Sequence, residues 1–312
     1  MPIATSSFLS PRSIGVFAVA TAVAAYAASF VVLMRLPGAS AEEPLFLLGV
    51  LGIGFPLLAW ALTRGRTLAG ASRINAQSTS NPWPMLGYLA LFAAIVLGWG
   101  FTALNEAVPE DPEQSAAQLA LKLMTMVALP AWLFLHSKQW LSPAWPARRL
   151  WLVFIVMSLA YLAFQAVFGR GLMTLRELAP SAATLAWAIP ACWVWQTLEA
   201  GLCEEVLFRR ILQQRLADAT GSQVAAITWA SLLFGLAHAP GLWMRGASLL
   251  EGVAQPTPSW AVAYSIVMIA PAGIAFGVLW ARTRSLWLIV PLHGMVDLLP
   301  QLAPFIRSWT QG

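Results

Sequence analysis

Charged side chains are scarce in this sequence. Asp, Glu, Lys and Arg make up 10% of 312 residues, against roughly 25% in an ordinary soluble domain. So few polar groups could not coat a globule of this size, and the mean hydropathy of +0.71 says the same. With 59% hydrophobic residues, disorder is excluded as well. The two cysteines are too few for a disulfide scaffold. Cys192 and Cys203 are expected on one helix, eleven residues apart. At about 1.5 Å per residue that exceeds the ~7 Å between Cα atoms that a disulfide tolerates. Length alone would allow two soluble domains, but the composition makes this one polytopic membrane domain. Lys and Arg number 18 against 13 Asp and Glu. In so apolar a chain that excess reads as the retention of positive loops on the cytoplasmic side, and no nucleic-acid partner is expected.

What is present in abundance is long apolar runs. A transmembrane helix needs about 20 mostly apolar residues. Nine stretches qualify: 14–34, 45–62, 84–104, 116–135, 151–168, 181–203, 223–239, 260–280 and 286–306. The expected fold is therefore an all-α transmembrane bundle of eight or nine spans, surrounded by lipid. With the N-terminus inside, twelve Lys and Arg residues fall on the inner side and five on the outer. That asymmetry predicts a cytoplasmic N-terminus, and the composition suggests a bacterial inner membrane. Lys122 lies within a span and is expected to snorkel. The loop with Glu106, Glu110, Asp111 and Glu113 carries no Lys or Arg and falls outside. The polar stretch 64–81 reads as a flexible connection. It divides an N-terminal part, 1–82, from a bundle, 83–312. Trp83, Trp140, Trp145, Trp151 and Trp260 are expected at the interfaces as anchors, and His136 at a membrane edge.

Charge inside a bilayer is unfavourable by at least ~2.5–3.5 kcal/mol per ionisable side chain at mid-depth, so the residues that break the apolar runs are informative. Three C-terminal segments hold nearly all of them: Glu204-Glu205-x-x-x-Arg209, Phe234-x-x-x-His238 and His293-x-x-x-Asp297. Glu205 and Arg209 are i,i+4 and form an expected ion pair. His293 and Asp297 share a face for the same reason. Glu204 shares a face with Ala200, Gly201 and Phe208, small residues among them leaving room for a neighbouring helix. Glu199, some 140° from Glu204 on an α-helix, is expected to face elsewhere. Glu204 and His238 come out level when measured from the turn near 218–221. Measured from the inner edge, the whole cluster lies a third to a half of the way into the bilayer, with approach expected from the cytoplasmic side. A carboxylate facing a histidine can activate a water as general base, and a second histidine can assist a developing oxyanion. Alternatively Glu204, His238, His293 and Asp297 could hold Zn²⁺, which would itself acidify the water. Either way the chemistry is hydrolysis, with peptide bonds the obvious substrate class.

These motifs, in this order on successive apolar helices, resemble those of the CPBP family, the CAAX protease and bacteriocin-processing (Abi) intramembrane proteases. The resemblance covers about residues 181–302. It implies an intramembrane endopeptidase acting on a membrane-associated or lipid-modified protein or peptide. It implies Glu204 as base, His238 as water-positioning partner, Glu205 with Arg209 as an orienting pair, and His293 with Asp297 as oxyanion partners or ligands. Phe234 is expected to pack beside the site. Family members are described as metalloproteases, and a metal-free glutamate mechanism is argued for them too. One departure bears on this: relatives acting on prenylated proteins tend to carry Asn at the last motif position. An ionised Asp297 cannot donate to an oxyanion. Two further readings stand beside the protease, a catalytically silent immunity or scaffold protein and a transporter. Against the transporter, the sequence has no two-half repeat and no paired broken helices.

Overall fold

The computed structural model describes residues 10–36, 39–64, 81–135, 146–245 and 256–310. His136, Trp140, Trp145 and most of the 64–81 connection lie outside the described residues. Helices account for the described secondary structure, with no strand among them. Eight are long and apolar enough to cross a bilayer: α1 (Pro11–Met34), α2 (Glu42–Leu62), α3 (Trp83–Ala107), α4 (Glu113–Phe134), α5 (Ala147–Phe168), α8 (Gln223–Arg245), α9 (Pro258–Thr283) and α10 (Leu286–Thr310). Between α5 and α8 come a short helix, α6 (Gly171–Leu178), and a long one, α7, over residues 182–220. The ninth expected span is the first half of α7. It is helical, but Gln196, Thr197 and Glu199 dilute its apolar character, and it is not among the eight.

Burial separates a core from a lipid-facing periphery. The most apolar windows of α9 and α10 are 61% and 56% buried, against 17% for those of α1, α2 and α4. Accordingly Phe17, Val23, Trp99 and Trp132 are exposed, as side chains are when lipid is the solvent. Trp83 and Trp151 are exposed in keeping with their expected anchoring role. Trp260 is not: it is buried, 5.0 Å from the Tyr264 ring, in a cluster with Leu33 and Ala239. Its position at a helix start suggested an interface, but α1 and α8 cover it.

Helix contacts around the core are made close by glycine. On α10, a Cβ at Gly294 would collide with Thr197 of α7; on α7, one at Gly201 would collide with the Val290 carbonyl of α10 and stand 3.3 Å from His293 Cβ. Small residues permit this close approach of backbones, as in many membrane bundles. Gly235 does the same for α8 against Ser265 and Ala270 of α9. The result is that the polar segments of α7, α8 and α10 meet. At its far end α7 stops at Gly221, whose positive φ of 65° suits a residue without Cβ and turns the chain into α8.

Candidate active site

The motif carriers are irregular where they carry function. In α7, residues Thr197–Leu202 and Glu205–Gln213 form wide π-type turns around Glu204, a distortion that recurs at functional sites. In α8 the helix breaks into a turn at 237–238, so His238 sits at the joint before the short segment Ala239–Arg245.

The Glu205 carboxylate lies fully buried between two cations or donors. Its Oε2 accepts from Arg209 Nε at 3.2 Å, and both side chains have no exposure. Its Oε1 lies 2.8 Å from His293 Nδ1 on α10. His293 Nε2 in turn lies 3.5 Å from Glu204 Oε2 and 3.5 Å from Asp297 Oδ2. Both ring nitrogens thus face carboxylate oxygens, which places the ring to donate in two directions. A chain runs from Arg209 through Glu205 and His293 to Glu204 and Asp297. The intrahelical pairs were legible from spacing; the interhelical Glu205–His293 bond was not, since spacing reports only one helix at a time.

His238 is separately fixed. Its Nδ1 is 2.9 Å from the Phe234 carbonyl, an acceptor only, so Nδ1 carries the proton and donates, leaving Nε2 as the free nitrogen. Phe234 packs at the centre of these groups. Its ring lies 5.1 Å from that of His238, 6.4 Å from that of His293, and 5.0 Å beneath the Arg209 guanidinium. The Phe276 ring covers His293 from α9 at 4.9 Å.

Glu204, His238 and Asp297 line one cavity of about 480 Å³, whereas Glu205, Arg209 and His293 stand behind its wall. Two residues expected elsewhere are in this wall. Lys122, expected to snorkel, donates instead to Glu199, and both line the cavity. The wide turn is the reason: i→i+5 hydrogen bonding brings residues five apart, such as Glu199 and Glu204, toward one line, where an α-helix would splay them. A cation within an apolar span was itself a signal of function that snorkelling set aside. Gln118, Gln196, Gln301 and Arg245 complete the polar lining.

The approach is also different from the one expected. The cavity walls come from the halves of α3, α4, α8 and α10 that adjoin the 108–112 loop. Toward the opposite end, where α7 turns into α8, Leu207, Ile211, Leu212, Leu279, Leu288 and Ile289 are all fully buried and seal the bundle. The cavity lining thus lies toward the 108–112 loop, away from the Lys- and Arg-rich end from which approach was expected.

The residues were also considered as a metal site. Among the described residues no three His, Cys, Asp or Glu side chains are arranged to hold a metal ion. His293 Nδ1 is engaged by Glu205, while its Nε2 stands 3.5 Å from both Glu204 and Asp297. Both cysteines are free and buried.

No curated protein and no solved structure matches this chain. A family model described as type II CAAX prenyl endopeptidase Rce1-like matches residues 185–299. That stretch runs from the first half of α7 through α8 and α9 into α10 and carries Glu204, Glu205, Arg209, Phe234, His238, His293 and Asp297. Residues 185–299 form a domain of the CPBP family, within a polytopic membrane protein.

Proposed function

We propose that this protein is an intramembrane endopeptidase that hydrolyses a peptide bond of a membrane-associated or lipid-modified polypeptide by glutamate-activated water. The observation that carries this is the shared wall: Glu204 and His238, from different helices, face one polar cavity within an apolar bundle. Glu204 takes a proton from a water as its oxygen adds to the substrate carbonyl carbon. The same carboxyl then returns the proton to the amide nitrogen as the C–N bond breaks, releasing an acid and an amine. His238, tethered through Nδ1, holds the water at its free Nε2 and favours the attacking geometry.

His293 acts through Glu204 and Asp297 rather than on the substrate, as a positioning residue, since it stands behind the wall. Glu205 and Arg209 hold it there. Asp297 reaches the cavity and, as a carboxylate beside His293 Nε2, orients that ring instead of donating to an oxyanion. This reading assigns no step to a metal.

The test uses purified full-length protein in detergent micelles, with a fluorogenic farnesylated peptide and its unprenylated counterpart as probes. Glu204→Gln should lower cleavage by roughly 10²–10⁴-fold, the range for removing a general base, while the folded fraction stays unchanged. Cleavage that persists in folded Glu204→Gln refutes the assignment. A parent chain that cleaves neither probe, while Glu204→Gln preserves a cellular phenotype that deleting the protein abolishes, supports the silent scaffold instead.

A further inference from the structure

The two ends of the bundle differ in charge, and side-chain bonds show which loops lie together. At one end Arg282 donates to the Thr63 carbonyl at 2.8 Å and hydroxyl at 2.7 Å, Arg215 to the Phe134 carbonyl at 3.1 Å, and Arg284 to Gln214. The ends of α2, α4, α7 and α9 are thus one cationic surface. Gly15, next to the start of α1, packs there against Ser222. At the other end Asp111 accepts from Ser308 of α10 at 2.7 Å, tying the acidic 108–112 loop to the C-terminal end of that helix. Arg209, counted by sequence among the inner positives, is buried in the Glu205 pair and belongs to neither surface. Without it, the described residues still place eight Arg at the first end against five at the second. This parity no longer depends on counting spans, because the bonds join the loops directly.

We infer that the catalytic cavity opens on the non-cytoplasmic face of the membrane, and that its substrate is a membrane-tethered polypeptide presented from that face. The Lys- and Arg-rich end is the cytoplasmic one by the charge rule, and the start of α1 lies there. The cavity reaches the opposite end, past Gln118, Gln301 and Arg245, while buried leucines and isoleucines close it from the cytoplasm. A chain anchored in the cytoplasmic leaflet would have to carry its scissile bond through that sealed layer. One anchored in the other leaflet reaches Glu204 directly. The word substrate rests on the proposed peptidase activity; the direction of opening does not.

Single-cysteine labelling with a membrane-impermeant maleimide tests the inference on the full chain in spheroplasts. Cys192 and Cys203 have no exposure, so the parent chain provides the blank. Glu110 and Gln301 are exposed, the second in the cavity wall, and Ala219 is exposed at the cationic end. The expected result is that Glu110→Cys and Gln301→Cys label in intact spheroplasts, and Ala219→Cys only after lysis. Glu113→Cys, also exposed, replaces Glu110→Cys should that variant not accumulate. The reverse pattern overturns the inference and puts the cavity on the cytoplasmic face. Label on Glu110→Cys with none on Gln301→Cys also overturns it, since the cavity would then be closed on that side. Neither result touches the peptidase proposal, because labelling is read without any cleavage.

Discussion

Replacing Glu205 by Gln isolates the charge that holds the site together. The carboxylate receives two hydrogen bonds, from Arg209 Nε at 3.2 Å and at His293 Nδ1 at 2.8 Å, with no exposure at Glu205 or Arg209. Gln keeps the volume and one acceptor oxygen, so it can serve one of those partners but not both. It also removes the charge that compensates a guanidinium whose Nη1 and Nη2 already lack protein partners among the described residues. Breaking a buried pair from one side costs about 3–5 kcal/mol, because an uncompensated charge remains. Glu205→Gln is therefore expected to destabilise by about that amount. The double variant Glu205→Gln, Arg209→Met removes the orphaned charge and should recover much of the loss. Unfolding in mixed micelles titrated with SDS measures all members of the cycle. Peptidase activity should fall in both variants by about 10²-fold, the scale of a misplaced catalytic group, since His293 loses its anchor. Effects that add within about 0.5 kcal/mol would show that the two side chains are not coupled, and the reasoning from burial would fail.

Three other outcomes follow from the same geometry. Gly294→Val forces a side chain into Thr197 and should destabilise by about 1–3 kcal/mol, whereas Gly49→Val, where the space is open, should be nearly neutral; equal unfolding midpoints would refute the close α7–α10 contact. Lys122→Met leaves the Glu199 carboxylate unpaired beside Glu204 and should destabilise by about 1–3 kcal/mol, with recovery in Lys122→Met, Glu199→Gln. No recovery in that double variant would mean that the pair is not what holds Lys122 in the wall. Treatment with EDTA or 1,10-phenanthroline should leave cleavage by the purified protein unchanged, and loss that zinc restores would establish a metal mechanism in its place.

Much about this chain is determined by its composition and local spacing. The scarcity of charge forces the fold into lipid, and the lack of water there forces every backbone group into helices. Ionisable residues survive in such a setting only where they act or are paired, so Glu204, Glu205, His238, His293 and Asp297 stand out from the linear chain. Spacing of four assigns Glu205 to Arg209 and His293 to Asp297, and both pairs occur. Tertiary structure alone decided the rest. Periodicity gives an angle around one helix axis but not the helix that lies opposite, so the Glu205–His293 bond and the burial of Trp260 were out of its reach. It also assumes regular turns, and the wide turns of α7 moved Glu199 into the wall beside Glu204, where Lys122 meets it. Depth from a helix end says how far a side chain is from water, not from which side water arrives. That side is read from which halves of α3, α4, α8 and α10 line the cavity and which residues pack shut at the other end.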